Sequence, residues 1–146
     1  MVGADDWARR RREAVQEHAE RMARTRAAET AQAREMIQAF ARTAREGGLS
    51  TVPLLARAGD GPPTYRTGLV GWYLTRDGSL GVTTDGDYYH LSSPAGLRAR
   101  LLGVHLRPAD PPLQVGRGAR DGESMALDVL LALRLAAGDD WLVQGL

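Results

Sequence analysis

Residues 68–92 read GLVGWYLTRDGSLGVTTDGDYYHLS, and this stretch decides the fold. Two Asp-Gly pairs, Asp77-Gly78 and Asp85-Gly86, interrupt runs of alternating apolar and polar residues. Asp-Gly between such runs favours a hairpin, because Gly accepts a positive φ without steric cost. The segment is therefore predicted to form a β-meander of three short antiparallel strands. The apolar pattern sets the register. A two-residue loop at 77–78 would put Leu80 and Val82 on the face opposite Trp72 and Leu74. A three-residue loop, Arg76-Asp77-Gly78 with Gly78 left-handed, pairs Leu74 with Leu80 and Trp72 with Val82. A slip of one residue sends every side chain to the other face, so the three-residue loop is expected. At the second turn a two-residue loop, Asp85-Gly86, pairs Val82 with Tyr89 and Leu80 with Leu91. The expected buried face is then Val70, Trp72, Leu74, Leu80, Val82, Tyr89 and Leu91. The other face carries Gly71, Tyr73, Gly81, Thr83, Tyr88 and His90.

Upstream, residues 5–46 hold no Gly or Pro and are rich in Ala, Arg, Glu, Gln and Met, all good helix formers. Asp5 and Asp6 suit a helix N-terminus, Arg42 and Arg45 a C-terminus, and Gly47-Gly48 ends the run. At about 1.5 Å per residue such a helix is roughly 60 Å long. The remaining ~100 residues form a body with a radius of gyration of about 13 Å. The helix must overhang that body, bend back, or pack on another molecule. Its apolar stripe is Val15, Ala19, Met22, Ala33, Ile37, Phe40 and Ala44, interrupted by Arg26 and Thr30. A strict heptad fails, since a step of seven from Met22 reaches Glu29. Met36, Ile37 and Phe40 are expected to dock the C-terminal third. Trp7, Val15 and Met22 need another partner.

Between helix and meander, Leu49–Ala56 reads as a short strand or a helical turn, and residues 59–63, GDGPP, as a loop. After the meander, Ala95–Leu102 suggests a short helix or an extended connection. Residues 103–107, GVHLR, suggest a fourth strand, and Leu113–Val115 an extended piece. Residues 116–123, GRGARDGE, form a Gly-rich basic loop. Ser124–Ala137 is predicted as a helix, apolar almost all round with Asp128 and Arg134 its only charges, and so buried on both sides. Trp141, Leu142 and Val143 are expected to seal the core edge.

At 146 residues the chain is long enough for one domain with a real core. Having no Cys excludes disulfides, thiolate chemistry and Cys-ligated metals. No run of about 18 apolar residues suggests a membrane span, and no signal peptide is visible at the N-terminus, so a cytoplasmic location is the expectation. All 19 residues counted as Lys+Arg are Arg, Asn is absent, and Ile occurs only at Ile37. This bias suggests a GC-rich bacterial genome, in which an exposed Arg need not reflect a need for a guanidinium. A net charge of +1 does not mark the whole chain as a nucleic-acid binder.

Three features carry candidate function. Arg9, Arg10, Arg11 and Arg12 could contact phosphates on nucleic acid or anionic lipid. The bland alternative is a solvated helix face, with Asp5, Asp6, Glu13, Glu17 and Glu20 cancelling much of the field. The loop leading into the last helix could bind a small anion through Arg117, Arg120 and the N–H groups near Ser124. It lacks the last glycine of a dinucleotide fingerprint and the G-K-[ST] of a P-loop, and the plain alternative is that Asp121 or Ser124 caps the helix. His90 with Tyr73 and Tyr88, near Asp85 and Asp87, could line a polar aromatic pocket. No nucleophile or oriented acid is visible beside His90, and His18 and His105 give no metal-ligand spacing.

The sequence therefore predicts an α+β fold: a long N-terminal helix (1–46, an interaction arm), then a small domain (47–146). That domain holds the meander 68–92, one or two further strands and a buried C-terminal helix. The expected function is a non-catalytic protein–protein interaction module, adaptor or accessory subunit. Its expected contact residues are Trp7, Val15 and Met22, meeting a protein partner or a second copy. No cofactor or metal is expected. The alternatives are a nucleic-acid-binding regulator using Arg9–Arg12 and a small-anion sensor using the 116–124 loop.

Overall fold

The computed structural model describes residues 3–58, 61–92, 102–116, 124–141 and 143. The architecture is α+β. Helix α1 (Gly3–Glu46) is followed by strands β1 (Val52–Ala58), β2 (Gly61–Tyr73), β3 (Leu80–Thr83) and β4 (Tyr88–His90). These four form one antiparallel sheet in sequence order. A two-stranded ribbon, β5 (Gln114–Val115) with β6 (Met125–Ala126), precedes helix α2 (Leu127–Ala137) and a short 3-10 turn, Gly138–Asp140.

Helix α1 runs unbroken for 44 residues, about 66 Å. It ends in two crossed backbone bonds, Leu49 N–H to Ala44 C=O at 2.9 Å and Gly48 N–H to Arg45 C=O at 3.1 Å. This pattern satisfies the last carbonyls and turns the chain toward β1. Only the C-terminal third is buried: Ala33, Ile37, Phe40, Ala41 and Ala44. Their spacing keeps them on one face. Met36 packs half-buried beside them. Phe40 meets Trp72 edge-on, with ring centroids 5.8 Å apart.

The first hairpin has the expected register. Trp72 faces Val82, and Leu74 N–H donates to Leu80 C=O at 2.9 Å. Gly78 takes a φ of +73°. One Asp77 carboxylate oxygen accepts the Ser79 N–H at 3.0 Å, the Ser79 hydroxyl at 2.7 Å and the Thr75 hydroxyl at 2.6 Å. Partial burial works to raise the Asp77 pKa, but these bonds outweigh it and the net shift is downward.

The second turn departs from expectation by one residue. Val82 pairs with Tyr88, not Tyr89, and Leu80 with His90, not Leu91. Thr83 and Asp87 close the turn, with the Thr83 N–H on the Asp87 carbonyl at 2.9 Å. The loop is thus Thr84-Asp85-Gly86, the same three-residue form as the first. A two-residue type I′ loop needs a positive φ at both central residues. Among the described residues only glycines have one, and Gly86 takes +87°.

Both faces of the sheet are buried, so hydrophobicity could not choose between Tyr88 and Tyr89. On the helix-covered face, Trp72, Leu74, Leu80, Val82 and Tyr88 join the α1 residues with Val115, Leu127, Leu130 and Leu131. On the other, Leu54, Tyr73, Tyr89 and Leu91 form a second core with Leu69, Leu106 and Val143. Tyr73 and Tyr88 are thereby core residues, not members of an open face. Val70 lies past the end of β3, which stops at Thr83 opposite Gly71, and is half-exposed. The sheet curls on itself: Arg57 N–H donates to Leu91 C=O at 3.0 Å, and Arg57 bridges Ser92 in parallel.

Four other expectations change. Residues 61–63 of the expected loop belong to β2. They sit at a register shift, where two prolines cost the ladder no bond. Residues 103–107 form no strand; Val104 N–H donates to Arg66 C=O, and the segment runs on irregularly to Ala109, bonded to Tyr88 C=O. Helix α2 begins at Leu127, because Met125 and Ala126 are taken up by the ribbon with Gln114 and Val115. It is buried on one side only: Leu127, Leu130, Leu131 and Arg134 face inward, while Val129 and Leu133 are about half exposed. Apart from Leu102, the short helix expected over 95–102 lies outside the described residues, as does Leu142.

Candidate functional site

The N-terminal part of α1 carries no buried side chain, and only its last residues, from Arg26, border the rest of the domain among the described residues. From Gly3 to Glu29 no residue is buried, and the first fully buried side chain is Ala33. Trp7, Val15 and Met22 are 60%, 63% and 45% exposed. Trp7 and Val15, with Ala8 and Ala19, border a shallow depression along the helix. At about 100° per residue the stripe through Trp7, Val15 and Met22 lies on the same side of α1 as Ile37 and Phe40. The stripe that docks on the sheet thus continues along the exposed part of α1.

Charges on this segment are partly spent on one another. Arg9 and Arg10 both pair with Asp6, at 2.8 and 2.6 Å. The Arg11 guanidinium lies over the Trp7 ring, 5.2 Å from its centroid. These pairs are exposed and add little stability. They do reduce the field that Arg9, Arg10, Arg11 and Arg12 would offer to a phosphate.

The second expected site is only partly described. Arg117 and Arg120 lie outside the described residues. Ser124 is exposed and does not cap α2, whose first residue comes three positions later. The Leu127 N–H donates to Leu113 C=O, and the Val129 N–H to the Asp128 carboxylate at 2.8 Å. Those helix-start donors are therefore already used. Ser124 instead borders a depression with Asp110, Arg26 and Glu29, where both signs of charge meet.

The expected His90 pocket does not form. His90 touches Tyr88 edge-on, with centroids 5.5 Å apart, but Tyr73 points into the opposite core. Among the described residues, no group of His, Asp and Glu is arranged to hold a metal ion. None of their helices is long and apolar enough to cross a membrane.

A cleft that the sequence did not suggest opens between β1, Arg66 of β2 and the end of α2. Its volume is about 660 Å³, and among the described residues its apolar walls include Val52, Pro53, Leu55 and Val143. Arg134 reaches into it from α2. Its Nε donates to Tyr73 C=O at 2.7 Å and its Nη1 to Gly138 C=O at 2.7 Å. Burial lowers the Arg134 pKa, with Asp139 opposing, yet a guanidinium stays cationic at neutral pH. The indole of Trp141 forms the next wall. The Arg76 and Arg134 guanidinium groups lie 4.4 and 5.2 Å from its centroid. Among the described residues its buried Nε1 meets no hydrogen-bond acceptor. Among the lining residues, exposed Asp139 accepts the Ser50 N–H and hydroxyl, both at 2.9 Å. Those two bonds, backbone first, hold its carboxyl below the usual range. A single arginine in an otherwise apolar helix was the signal in the sequence. Such a residue must find buried carbonyls, and here they sit beside a cavity.

No protein-family model matches the chain, and no curated protein and no solved structure matches it either.

Proposed function

We propose that the chain is a non-catalytic protein-interaction module that works through the projecting part of α1. The observation that carries this reading is the unburied run from Gly3 to Glu29, a rod of about 40 Å with large apolar side chains on one stripe. Helical stability in proteins comes mostly from packing an amphipathic face. A stripe of this length gains that packing from another helix laid along it.

The sequence of the arm fits a second copy running antiparallel. Placing Trp7 of one copy opposite Met22 of the other joins the two ends of the apolar stripe. Val15 then falls beside its own symmetry mate. The contact is isologous, as expected of a closed dimer. Phosphate binding by Arg9–Arg12 has less support, since Asp6 already holds two of the four arginines.

Light scattering after size exclusion tests this on three proteins: the full chain, a chain lacking residues 1–24, and Val15→Glu/Met22→Glu. The full chain should be dimeric at tens of micromolar, and both variants monomeric with unchanged folding. A full chain that stays monomeric at every concentration overturns self-association. Salt-sensitive retention of DNA or RNA by such a monomer would favour the nucleic-acid reading.

A further inference from the structure

We propose that the cleft beside Trp141 binds a small amphipathic carboxylate, with its apolar body against β1 and its head on the Trp141 indole N–H and the Arg134 guanidinium. The inference concerns the opposite end of the molecule from the α1 arm and does not depend on its pairing.

Three observations converge. First, the cleft has the size and lining of a small-molecule site, mostly apolar with a few polar groups among its lining residues. Val52, a large apolar residue of β1, stays 40% exposed there instead of packing in either core. Second, one donor is buried without an acceptor. An indole N–H is a donor only, and a buried donor left unpaired carries the cost of its lost hydration with nothing in return. Trp141 lines the cleft, so an acceptor that reaches this N–H after a small shift of the ring would recover that cost. Third, the local charge selects an anion. Arg134 is 5% exposed and spends Nε and Nη1 on backbone carbonyls, leaving Nη2 for the cleft. Arg66 stands on the lining and Arg76 on the far partner of the indole. Among the described residues the one acid on the lining is Asp139, which is already engaged by Ser50. A bare inorganic anion would leave the walls of Val52, Leu55 and Val143 unused. A neutral apolar molecule would leave the indole N–H and the guanidinium unused. A carboxylate on a short hydrocarbon body uses both.

The test is a titration of the full chain, labelled with nitrogen-15, with three probes: octanoate, 1-octanol and acetate. The Trp141 indole resonance is assigned by its loss in Trp141→Phe. Octanoate should bind saturably and shift that resonance. Octanol lacks the charge and acetate the body, so each should bind at least tenfold more weakly. Trp141→Phe keeps a ring in place but removes the N–H, and should weaken octanoate at least tenfold. The proposal is overturned if octanol binds as tightly as octanoate. It is equally overturned if acetate does, or if octanoate moves the Trp7 indole and leaves Trp141 unmoved. Wild-type titrations decide the matter even if the Phe variant fails to fold.

Discussion

Phe40 of α1 stands edge-on to Trp72 of β2, their planes 89° apart, and the Trp72 indole N–H donates to Leu49 C=O at 3.1 Å, just past the end of α1. One fully buried side chain thus binds the helix, its C-terminal turn and the sheet together. Trp72→Ala should cost about 3–5 kcal/mol, the range for removing a large aromatic from a core. Urea unfolding of the variant measures it. A loss below about 1 kcal/mol would mean that the helix is not docked there.

Tyr73 points the other way and is buried too, at 4% exposure. Its hydroxyl accepts the Leu55 N–H at 2.8 Å. Tyr73→Ala should therefore be about as costly as Trp72→Ala, because this sheet has no solvent face at that point. Tyr73→Phe isolates the hydrogen bond: it leaves the Leu55 N–H unpaired and should cost about 1–3 kcal/mol. A neutral Tyr73→Phe would mean that water replaces the hydroxyl.

The contrast between these neighbours explains what the sequence could and could not disclose. The long helix, its docking residues and the first hairpin were legible, because each rests on a local rule: propensity, spacing, turn chemistry. The second register was not. Tyr88 and Tyr89 are adjacent and equally able to be buried, and deciding between them needed the second core, built from Leu54, Leu106 and Val143, distant in sequence. The end of α2 illustrates the same limit. Arg134 was visible as an isolated charge, but its partners, Tyr73 C=O and Trp141, come together only in three dimensions. The exposed arm was legible as surplus length, since a helix of that span exceeds the width of the domain.

The arm should contribute little to the stability of the domain itself. Because Ala33 is the first fully buried residue of α1, removing residues 1–24 deletes no core contact. At concentrations well below any dimer Kd, the truncated chain should unfold at the same urea concentration as the full chain, within error. Ile37→Ala, by contrast, should cost about 2–5 kcal/mol. A large loss on truncation would make the arm part of the fold.

Acid should loosen the joint between β1 and the C-terminus. Asp139 accepts two bonds from Ser50, and its folded pKa lies below the ordinary value. A depressed carboxylate pKa stabilises the fold above the unfolded value of about 3.9, and this contribution disappears as pH falls through the folded pKa. Asp139→Asn should therefore be less stable than wild type at pH 6. The two should converge as pH falls through the folded pKa of Asp139. Parallel curves across this range would mean that the carboxylate charge is not what Ser50 recognises.

Alkali should act through Tyr88, with the opposite sign. Burial pushes its hydroxyl from 10.0 up to about 12. Between those two values the unfolded chain releases a proton that the folded chain retains. The stability linked to Tyr88 is thus fully present below pH 10 and lost as pH rises toward 12. The slope is at most about 1.4 kcal/mol per pH unit for one group. Tyr73 and Tyr89 shift in the same direction, chiefly through burial, so the whole protein should lose stability more steeply than one tyrosine would cause. Tyr88→Phe keeps the ring beside Val82 and the α1 core but cannot ionise. It should flatten the fall in unfolding free energy between pH 10 and pH 12 by about one proton's worth, leaving the remainder to the other two. Urea melts at half-unit steps measure that slope. An unchanged slope in the variant would mean that Tyr88 ionises as freely in the folded chain as in the unfolded one, and that its side of the core admits water.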